Sequence, residues 1–374
     1  MSSNAPDAAA GQEDFIKGWP HPELLTTEKL RKDLAESFAK AIPLTGSCLN
    51  YGAVGEGAHM LGHPVFLNAL ATFLTDQYGR EVSPDTLMST GGSSMATDIA
   101  CRVHASAGDI AVTEAPTYYL AHQMFRERGL QLREVPLESD GMDVDALEKL
   151  CEECAGKVKI VYTVPINHNP TGVTMCNAKR EKLMALARKH KFTVIADEAY
   201  QLLNFPGNKN AEKILPMFYH DSKEDPRCIS VGTFSKLIGP GIKIGWAHAD
   251  RSLLKPMSGI GFINSGNNPV IFSSTALAHF VSSGALKEHI DFVAEKLGKK
   301  CKLLCDKLRE AGLEPVDPHG GYFVWVKSKG KMTGRSGKGM CLDPPDRFAD
   351  YMRLCFAWLT EEQIVKGAAY LKQN

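Results

Sequence analysis

The sequence predicts an α/β fold in which a largely parallel sheet is covered by helices. Short β-rich segments alternate with amphipathic helical segments from about residue 83 to residue 245, which is the pattern of that fold class. Continuous apolar character predicts buried strands, and apolar residues at helical spacing predict a helix. The four clearest strands are DIAVTEAP, KIVYTVP, FTVIADEAY and CISVGTF, and the clearest helix is KREKLMALARKH.

A second, smaller domain is predicted after about residue 268, where the chain becomes mainly helical. The longest periodic stretch is HIDFVAEKLGKKCKLLCDKLREAG, and the strand-like GGYFVWVKS follows it. A final strand, MRLCFAW, leads to Thr360 and Gln363, whose spacing matches a capping box that opens the last helix. A chain of 374 residues is long enough for both domains, and residues 1–13 are expected to be a disordered lead.

Charge and composition point to small-molecule partners. Lys plus Arg and Asp plus Glu each number 43, so no net field attracts nucleic acid or an anionic membrane. The sequence has neither a long apolar run nor a recognisable targeting segment, and its ten cysteines lack regular spacing, so we expect a cytoplasmic protein with reduced thiols. A metal site at Cys151 and Cys154 is disfavoured because no second Cys or His pair lies nearby, and one at His59 and His63 because their Gly-rich context favours a loop over a helix.

Lys236 is the first candidate for chemistry. It lies in SVGTFSKLIGPGIKIGW, a Gly- and Ser-rich segment directly after a predicted strand. A partly desolvated lysine there can form an imine with a carbonyl cofactor, because the neutral amine is the nucleophile. Thr233 and Ser235 would offer hydroxyl groups to a phosphate. Taken alone, the segment is more typical of a polar loop that carries a solvated lysine, and the other motifs reverse that preference.

Two further strand ends carry polar groups that need partners. Asp197 closes the apolar strand of VIADEAY, where an unpaired carboxylate is costly, so a cationic partner is expected. The segment STGGSSMATDIA combines a strand end, a glycine turn and a helix start, which makes an anion site at Gly92, Ser93 and Ser94. The alternatives are an aspartate that caps a turn and an ordinary turn that starts a helix.

Arg353 interrupts the apolar strand MRLCFAW near the end of the chain. A buried arginine requires an anion, and a guanidinium group matches a carboxylate in a bidentate manner. We therefore expect Arg353 to bind a substrate carboxylate.

Three motifs, GTFSKLIGPGIKIGW, NHNPTG and ADEAY, occur in an order and spacing that resembles the fold-type I pyridoxal-phosphate aminotransferases of class I/II. The 2-aminoadipate and kynurenine aminotransferase-like branch is the most similar, and the resemblance runs from about Phe15 to the C-terminus. It implies a large domain with a mostly parallel, seven-stranded sheet in an αβα sandwich, plus a smaller α+β domain. The implied boundaries are 14–50 for an N-terminal segment that contributes to the small domain and the dimer, 51–268 for the large domain and 269–374 for the small one.

The resemblance also assigns the residues that hold pyridoxal 5'-phosphate. Lys236 would carry the cofactor as a Schiff base and act as general base, and Asp197 would bind the pyridinium nitrogen. Asn169 and Tyr200 would donate hydrogen bonds to the phenolic oxygen, with Asn169 also near the substrate. The ring of Tyr118, in preference to its neighbour, would stack on the pyridine face.

Other implied residues lie at the subunit boundary and at the substrate. Tyr51 matches a tyrosine that reaches the phosphate of the neighbouring subunit, which implies a homodimer with active sites at the interface. Gly18 corresponds to a residue that lines the substrate site, and Trp19 stands where a smaller side chain is usual. Lys243 departs from the family, which has an arginine there to hold the phosphate, so the charge is retained but the bidentate fork is lost.

The predicted activity is transfer of the amino group of an L-α-amino acid to a 2-oxo acid, such as 2-oxoglutarate, by a ping-pong mechanism. One alternative is other chemistry of the same fold, such as β-elimination or ring formation like that of ACC synthase. Another is a catalytically degenerate binding or regulatory protein, since related transcription factors add a DNA-binding domain to this fold. The short segment before Phe15 and the balanced charge argue against DNA binding.

Overall fold

The computed structural model describes residues 14–50, 60–207, 214–327 and 334–372. The α-helices within those ranges are α1 Pro22–Leu25, α2 Glu28–Ala41, α3 Thr45–Cys48, α4 Pro64–Tyr78, α5 Ser93–His104, α6 Leu120–Glu127, α7 Val144–Glu153, α8 Asn177–His190, α9 Arg251–Ser258, α10 Gly261–Gly266, α11 Ile271–Ser282, α12 Ala285–Glu310 and α13 Glu361–Lys372. Short 3₁₀ turns occur at Ile42–Leu44, Pro84–Thr86, Met217–His220 and Pro240–Ile242.

The strands form two sheets. They are β1 Leu87–Thr90, β2 Ile110–Ala115, β3 Gln131–Glu138, β4 Gly141–Met142, β5 Val158–Thr163, β6 Thr193–Asp197, β7 Cys228–Thr233, β8 Gly245–Ala249, β9 Phe323–Lys327, β10 Arg335–Ser336 and β11 Tyr351–Cys355. The four strands and the helix named from the sequence are confirmed as β2, β5, β6, β7 and α8.

The large sheet has the order β1-β8-β7-β6-β5-β2-β3-β4 and is mostly parallel. Strand β8 runs antiparallel to both of its neighbours, and β4 runs antiparallel to β3. The expected count of seven strands was therefore wrong by one. The additional strand is the two-residue β4, which forms because Gly141, with φ +121°, lets the chain fold back onto β3.

Helices cover both faces of this sheet because alternate strand residues point to opposite sides. In β6, Ile195 packs in the core with α5, α6 and α9, whereas Val194 and Ala196 pack in the core with α7 and α8. Strand β5 divides in the same way, with Tyr162 on the first side and Val161 on the second. The predicted αβα sandwich is confirmed.

The C-terminal region contains the second sheet, of order β10-β11-β9, together with the long helix α12. The capping box before α13 is confirmed, since the Thr360 amide donates to Gln363 Oε1 at 2.9 Å and the Gln363 amide donates to Thr360 Oγ1 at 3.2 Å. The N-terminal segment lies beside this sheet, because the Cys355 amide donates to the Phe15 carbonyl at 2.9 Å. The proposed domain boundaries stay a prediction.

The parallel strands determine where the polar strand ends meet. Strands β1, β5, β6 and β7 run in one direction, so their carboxyl ends lie at the same edge of the sheet. This edge receives the helix start after β1, the NHNPTG loop after β5, the end of β6 and the lysine segment after β7. No helix in the described parts of the chain has the length and apolar character needed to span a membrane.

Candidate active site

A cavity of about 250 Å³ lies at the carboxyl edge of the large sheet. It is lined by side chains and backbone from segments at the carboxyl ends of five strands, β1, β2, β5, β6 and β7. The lining residues are Gly91, Gly92, Ser93, Ser94, Tyr118, Val164, Asn169, Asp197, Ala199, Tyr200, Thr233, Ser235, Lys236, Pro240 and Lys243. Most of the residues that the sequence singled out therefore meet in one place, although their roles stay predictions.

Lys236 lies in the turn that follows β7, inside the cavity. Its Nζ donates to the Gly18 carbonyl at 3.1 Å, and its own carbonyl accepts from Tyr322 Oη at 2.6 Å. Burial lowers the pKa of the Lys236 ammonium, and the positive charges of Arg353 and Lys243 act in the same direction. This lowering is a shift toward the neutral amine, which is the form that attacks a carbonyl group or accepts a proton.

Asp197 stands at the end of β6 with one oxygen engaged and one free. Its Oδ2 accepts from Tyr162 Oη at 2.8 Å, whereas Oδ1 is buried and makes no hydrogen bond to any residue that the structure describes. Burial raises the pKa of this carboxyl, and the hydrogen bond from Tyr162, the charge of Lys236 and the nearby Ala199 amide and Ser93 hydroxyl group oppose that rise. A buried, unsatisfied carboxylate oxygen that faces a cavity fits a cationic N–H group, such as the ring nitrogen of pyridoxal phosphate.

The start of α5 offers a cradle for an anion. Gly92, with φ +98°, precedes the helix, and no side chain caps its first amides. Across the cavity, Thr233 Oγ1 donates to Ser235 Oγ at 3.0 Å, and a Cβ atom at Gly92 would lie 3.6 Å from Thr233 Oγ1. Helix amides, two hydroxyl groups and the Lys243 cation together fit a phosphate group.

Arg353 approaches the cavity from β11 and contacts one of its lining residues. Its Nη1 donates to Asn169 Oδ1 at 3.2 Å and its Nη2 donates to the Ile16 carbonyl at 2.8 Å, but its buried Nε has no hydrogen-bond partner among the described residues. The guanidinium carbon lies 4.2 Å from the centre of the Phe323 ring. No described carboxylate lies beside this guanidinium group, so it still has a charge and a hydrogen-bond donor with which to bind an anion.

The aromatic residues divide between the cavity and its surroundings. Tyr118 and Tyr200 line the cavity, and burial raises the pKa of Tyr118 to about 12. Trp19 is not among the lining residues, since its indole packs edge-on against Trp358 at 5.9 Å and is 44% exposed. The Gly18 backbone, by contrast, approaches the site directly through its carbonyl group. The predicted contact of Tyr51 lies outside the described residues.

Sequence reasoning missed two tyrosines that hold the site residues. Tyr162 and Tyr322 are fully buried, and their hydroxyl groups donate to Asp197 and to the Lys236 carbonyl. A signal for Tyr162 exists in the strand KIVYTVP, because a buried tyrosine hydroxyl needs a partner. The identity of that partner depends on which strand lies alongside, and the local sequence does not contain that information.

The metal pairs considered from the sequence have ordinary surroundings where they are described. His63 Nδ1 accepts from the Val65 amide at 3.3 Å at the start of α4, and Cys151 and Cys154 are free thiols. His59 lies outside the described residues. In the part of the chain that the structure covers, no group of three or more potential ligands is arranged around a metal position.

Comparison with known proteins gives consistent matches along the chain. The family described as aminotransferase class I and II matches residues 24–371. An aromatic-amino-acid aminotransferase from Thermococcus litoralis is 31% identical over 96% of this chain and 86% of its own length. A 2-aminoadipate transaminase from Thermus thermophilus is 26% identical over 96% and 88%. The solved structure of a kynurenine aminotransferase from Pyrococcus horikoshii superposes with a TM-score of 0.83, at 28% identity, and covers 100% of this chain and 96% of that one. These matches confirm the resemblance that the three motifs indicated.

Proposed function

Because this chain belongs to the class I and II aminotransferases, which depend on pyridoxal phosphate, we propose that it transfers the amino group of an L-α-amino acid to a 2-oxo acid such as 2-oxoglutarate. The observation that carries the proposal is the pair of incompletely satisfied buried groups in one cavity. A desolvated amine at Lys236 faces the same space as the unpaired oxygen of Asp197. Burying both groups without a full set of partners costs folding free energy, which favours a role in binding.

The cofactor would be held by residues at both ends of the cavity. Asp197 would keep the ring nitrogen protonated, and Tyr162 would fix the orientation of that carboxylate. The amides of α5, the hydroxyl groups of Thr233 and Ser235 and the ammonium group of Lys243 would hold the phosphate. At the ring, Tyr118 would pack on one face, and Asn169 and Tyr200 would donate hydrogen bonds to the phenolic oxygen.

Bound pyridoxal phosphate supplies an electron sink for the negative charge that develops at the substrate α-carbon. The protein would supply the remaining steps. Arg353 would bind the α-carboxylate with its unused donor capacity and so orient the α-carbon toward Lys236. Lys236 Nζ would anchor the cofactor before the substrate arrives. Its freed amine would then remove the proton from the substrate α-carbon and give that proton up again as the amino group is transferred. Its lowered pKa suits this alternation between base and acid.

A homodimer in the cytoplasm is part of the proposal. Large apolar side chains are exposed near the end of α2 and the start of α11, with Phe38 at 50%, Ile42 at 56% and Phe272 at 41%. Phe38 and Phe272 contact each other edge-on at 6.0 Å, so these side chains form a patch of the kind that a second copy covers. Tyr51 of that copy would reach the phosphate of this one.

Single-turnover reactions test the proposed function directly. The cofactor-loaded protein is mixed with one amino acid at a time, and the 2-oxo acid and ammonia released are both quantified. We expect one 2-oxo acid per active site without ammonia, followed by return of the cofactor absorbance when 2-oxoglutarate is added. Lys236→Ala is the control and should bind cofactor without turnover. Release of ammonia, or no turnover by protein that holds its cofactor, would contradict amino transfer.

A further inference from the structure

Arg335 stands directly opposite Arg353 in the small sheet. The antiparallel pairing of β10 with β11 places the Cα atoms of these two arginines in register. Side chains directly opposite in an antiparallel pair lie on the same face, with Cβ atoms about 5 Å apart. Since Arg353 reaches toward Asn169 and Phe323, Arg335 emerges on the face of the sheet that borders the cavity.

Arg335 is held by an aromatic ring instead of a carboxylate. Its guanidinium carbon lies 4.8 Å from the centre of the Tyr119 ring, next to the lining residue Tyr118. A cation placed over a ring face keeps its N–H groups available, because that contact does not use them as hydrogen-bond donors. The buried Nε of Arg335 indeed has no hydrogen-bond partner among the described residues.

Arginines elsewhere in the C-terminal region have carboxylate partners. Arg309 contacts Asp317, and Arg347 lies 3.8 Å from Glu134. Arg335 and Arg353 form no ion pair with a described carboxylate. Burial is the main reason that the pKa of Arg353 is lowered, and the nearby charge of Arg335 acts in the same direction. Two neighbouring cations without an anion repel each other, and a ligand with two negative groups relieves that repulsion.

We propose that Arg335 binds the distal carboxylate of an acidic amino acid while Arg353 binds its α-carboxylate, so that dicarboxylic substrates such as glutamate are preferred. This proposal rests on the proposed amino transfer. The alternative is that Arg335 only supports Tyr119 through the ring contact. The two accounts differ in one respect, because a supporting role affects all substrates alike, whereas a carboxylate site discriminates between acidic and neutral side chains.

The test compares L-glutamate with L-glutamine, which has nearly the same shape without the charge. Single-turnover kcat/KM values are measured for both amino acids with the wild type, Arg335→Gln and the matched control Arg347→Gln. We expect the preference for glutamate to fall about 10- to 100-fold in R335Q, the size of a lost hydrogen bond between charged groups, and to be unchanged in R347Q. Equal losses for both substrates, or an unchanged preference, would overturn the assignment.

An equilibrium measurement supplies a readout that is independent of turnover. Cofactor-loaded protein is titrated by calorimetry with glutarate, a dicarboxylate, and with butyrate, a monocarboxylate. R335Q should weaken glutarate binding about 10-fold or more and leave butyrate binding unchanged. If R335Q does not fold, Arg335→Lys keeps the charge and the ring contact but loses the fork, and it should weaken glutarate alone. Parallel weakening of both ligands, or weakening of neither, would contradict the proposal.

Failure of this inference is distinguishable from failure of the proposed function. Amino transfer from neutral amino acids without any preference for glutamate would contradict the role proposed for Arg335 but still support amino transfer as the activity. Absence of transfer from every amino acid would remove the proposed function itself.

Discussion

Two buried arginines, Arg180 and Arg353, differ in how completely their hydrogen bonds are satisfied. Arg180, in α8, is fully buried and donates to the carbonyl groups of Met175, Leu215 and Pro165 at 2.9, 2.9 and 2.7 Å. Arg353 is nearly as buried, but it makes two hydrogen bonds to residues that the structure describes, and its Nε has no partner among them. The first arginine completes the structure, and the second retains capacity for a ligand. If Arg353 binds a substrate carboxylate as proposed, the number of unused hydrogen-bond donors, and not burial alone, distinguishes a buried cation that binds a ligand from one that supports the fold.

The largest expected effect on stability comes from Arg180→Met. The substitution keeps an apolar stem but leaves three buried carbonyl groups without donors, so the free energy of unfolding should fall by about 3 to 5 kcal/mol. Urea denaturation of the cofactor-free protein measures it. Lys189→Met, on the exposed side of the same helix, is the control and should leave the midpoint nearly unchanged. A small loss in R180M would mean that those carbonyl groups find other donors.

Arg353→Gln should lower activity far more than stability, whereas Arg180→Met mainly lowers stability. We expect kcat/KM for amino acids to fall about 10²- to 10³-fold, because the charged fork for the α-carboxylate is lost. The absorbance of bound cofactor and the unfolding midpoint should change far less than the midpoint does in R180M. A large loss of stability in R353Q, with activity falling only as far as the folded fraction falls, would show that Arg353 supports the fold. Arg353 would then not differ from Arg180.

Asp197→Asn extends the comparison to a buried anion. Because burial raises the folded-state pKa of Asp197 above its unfolded value, ionisation of this group lowers stability as pH rises through the folded-state pKa. Cofactor-free D197N should therefore be at least as stable as the wild type at neutral pH, and the difference should vanish below about pH 4, where the carboxyl is protonated in both states. Activity should nevertheless fall strongly. A less stable D197N at neutral pH would show that Asp197 supports folding.

Lys243→Arg gives the smallest expected effect and tests the departure from the family. If Lys243 meets the phosphate, the arginine fork should tighten cofactor binding about 3- to 10-fold without changing the substrate preference. Spectroscopic titration of cofactor-free protein measures the dissociation constant. Lys255→Arg, in α9 and away from the cavity, controls for a general effect of the substitution. Unchanged or weaker cofactor binding in K243R would contradict a contact between Lys243 and the phosphate.

The sequence predicts those parts of the fold and site that depend on local pattern. Buried strands follow from continuous apolar segments, and Lys236, Asp197 and Arg353 are recognisable because each places a charge where the surrounding pattern is apolar or rich in glycine. Parallel strands then bring the strand ends to one edge. The fold class and most of the cavity lining follow from these two considerations.

Other features depend on which distant segments become neighbours. The three carbonyl groups around Arg180 and the hydroxyl group of Tyr162 at Asp197 come from tertiary packing, which no local window contains. The same is true of the carbonyl of Gly18 beside Lys236, since a segment near the N-terminus supplies it. Even β4 depends on a single glycine conformation at the sheet edge.

The most direct test of the cavity as a cofactor site is the location of covalently held pyridoxal phosphate. The purified protein is incubated with the cofactor, its visible absorption is recorded, borohydride is added, and the digested peptides are analysed by mass spectrometry. The account predicts an imine band that borohydride abolishes and the added cofactor mass on the peptide that contains Lys236, whereas no peptide of Lys236→Ala should gain that mass. No band with excess cofactor, or attachment at another lysine such as Lys243, would contradict it.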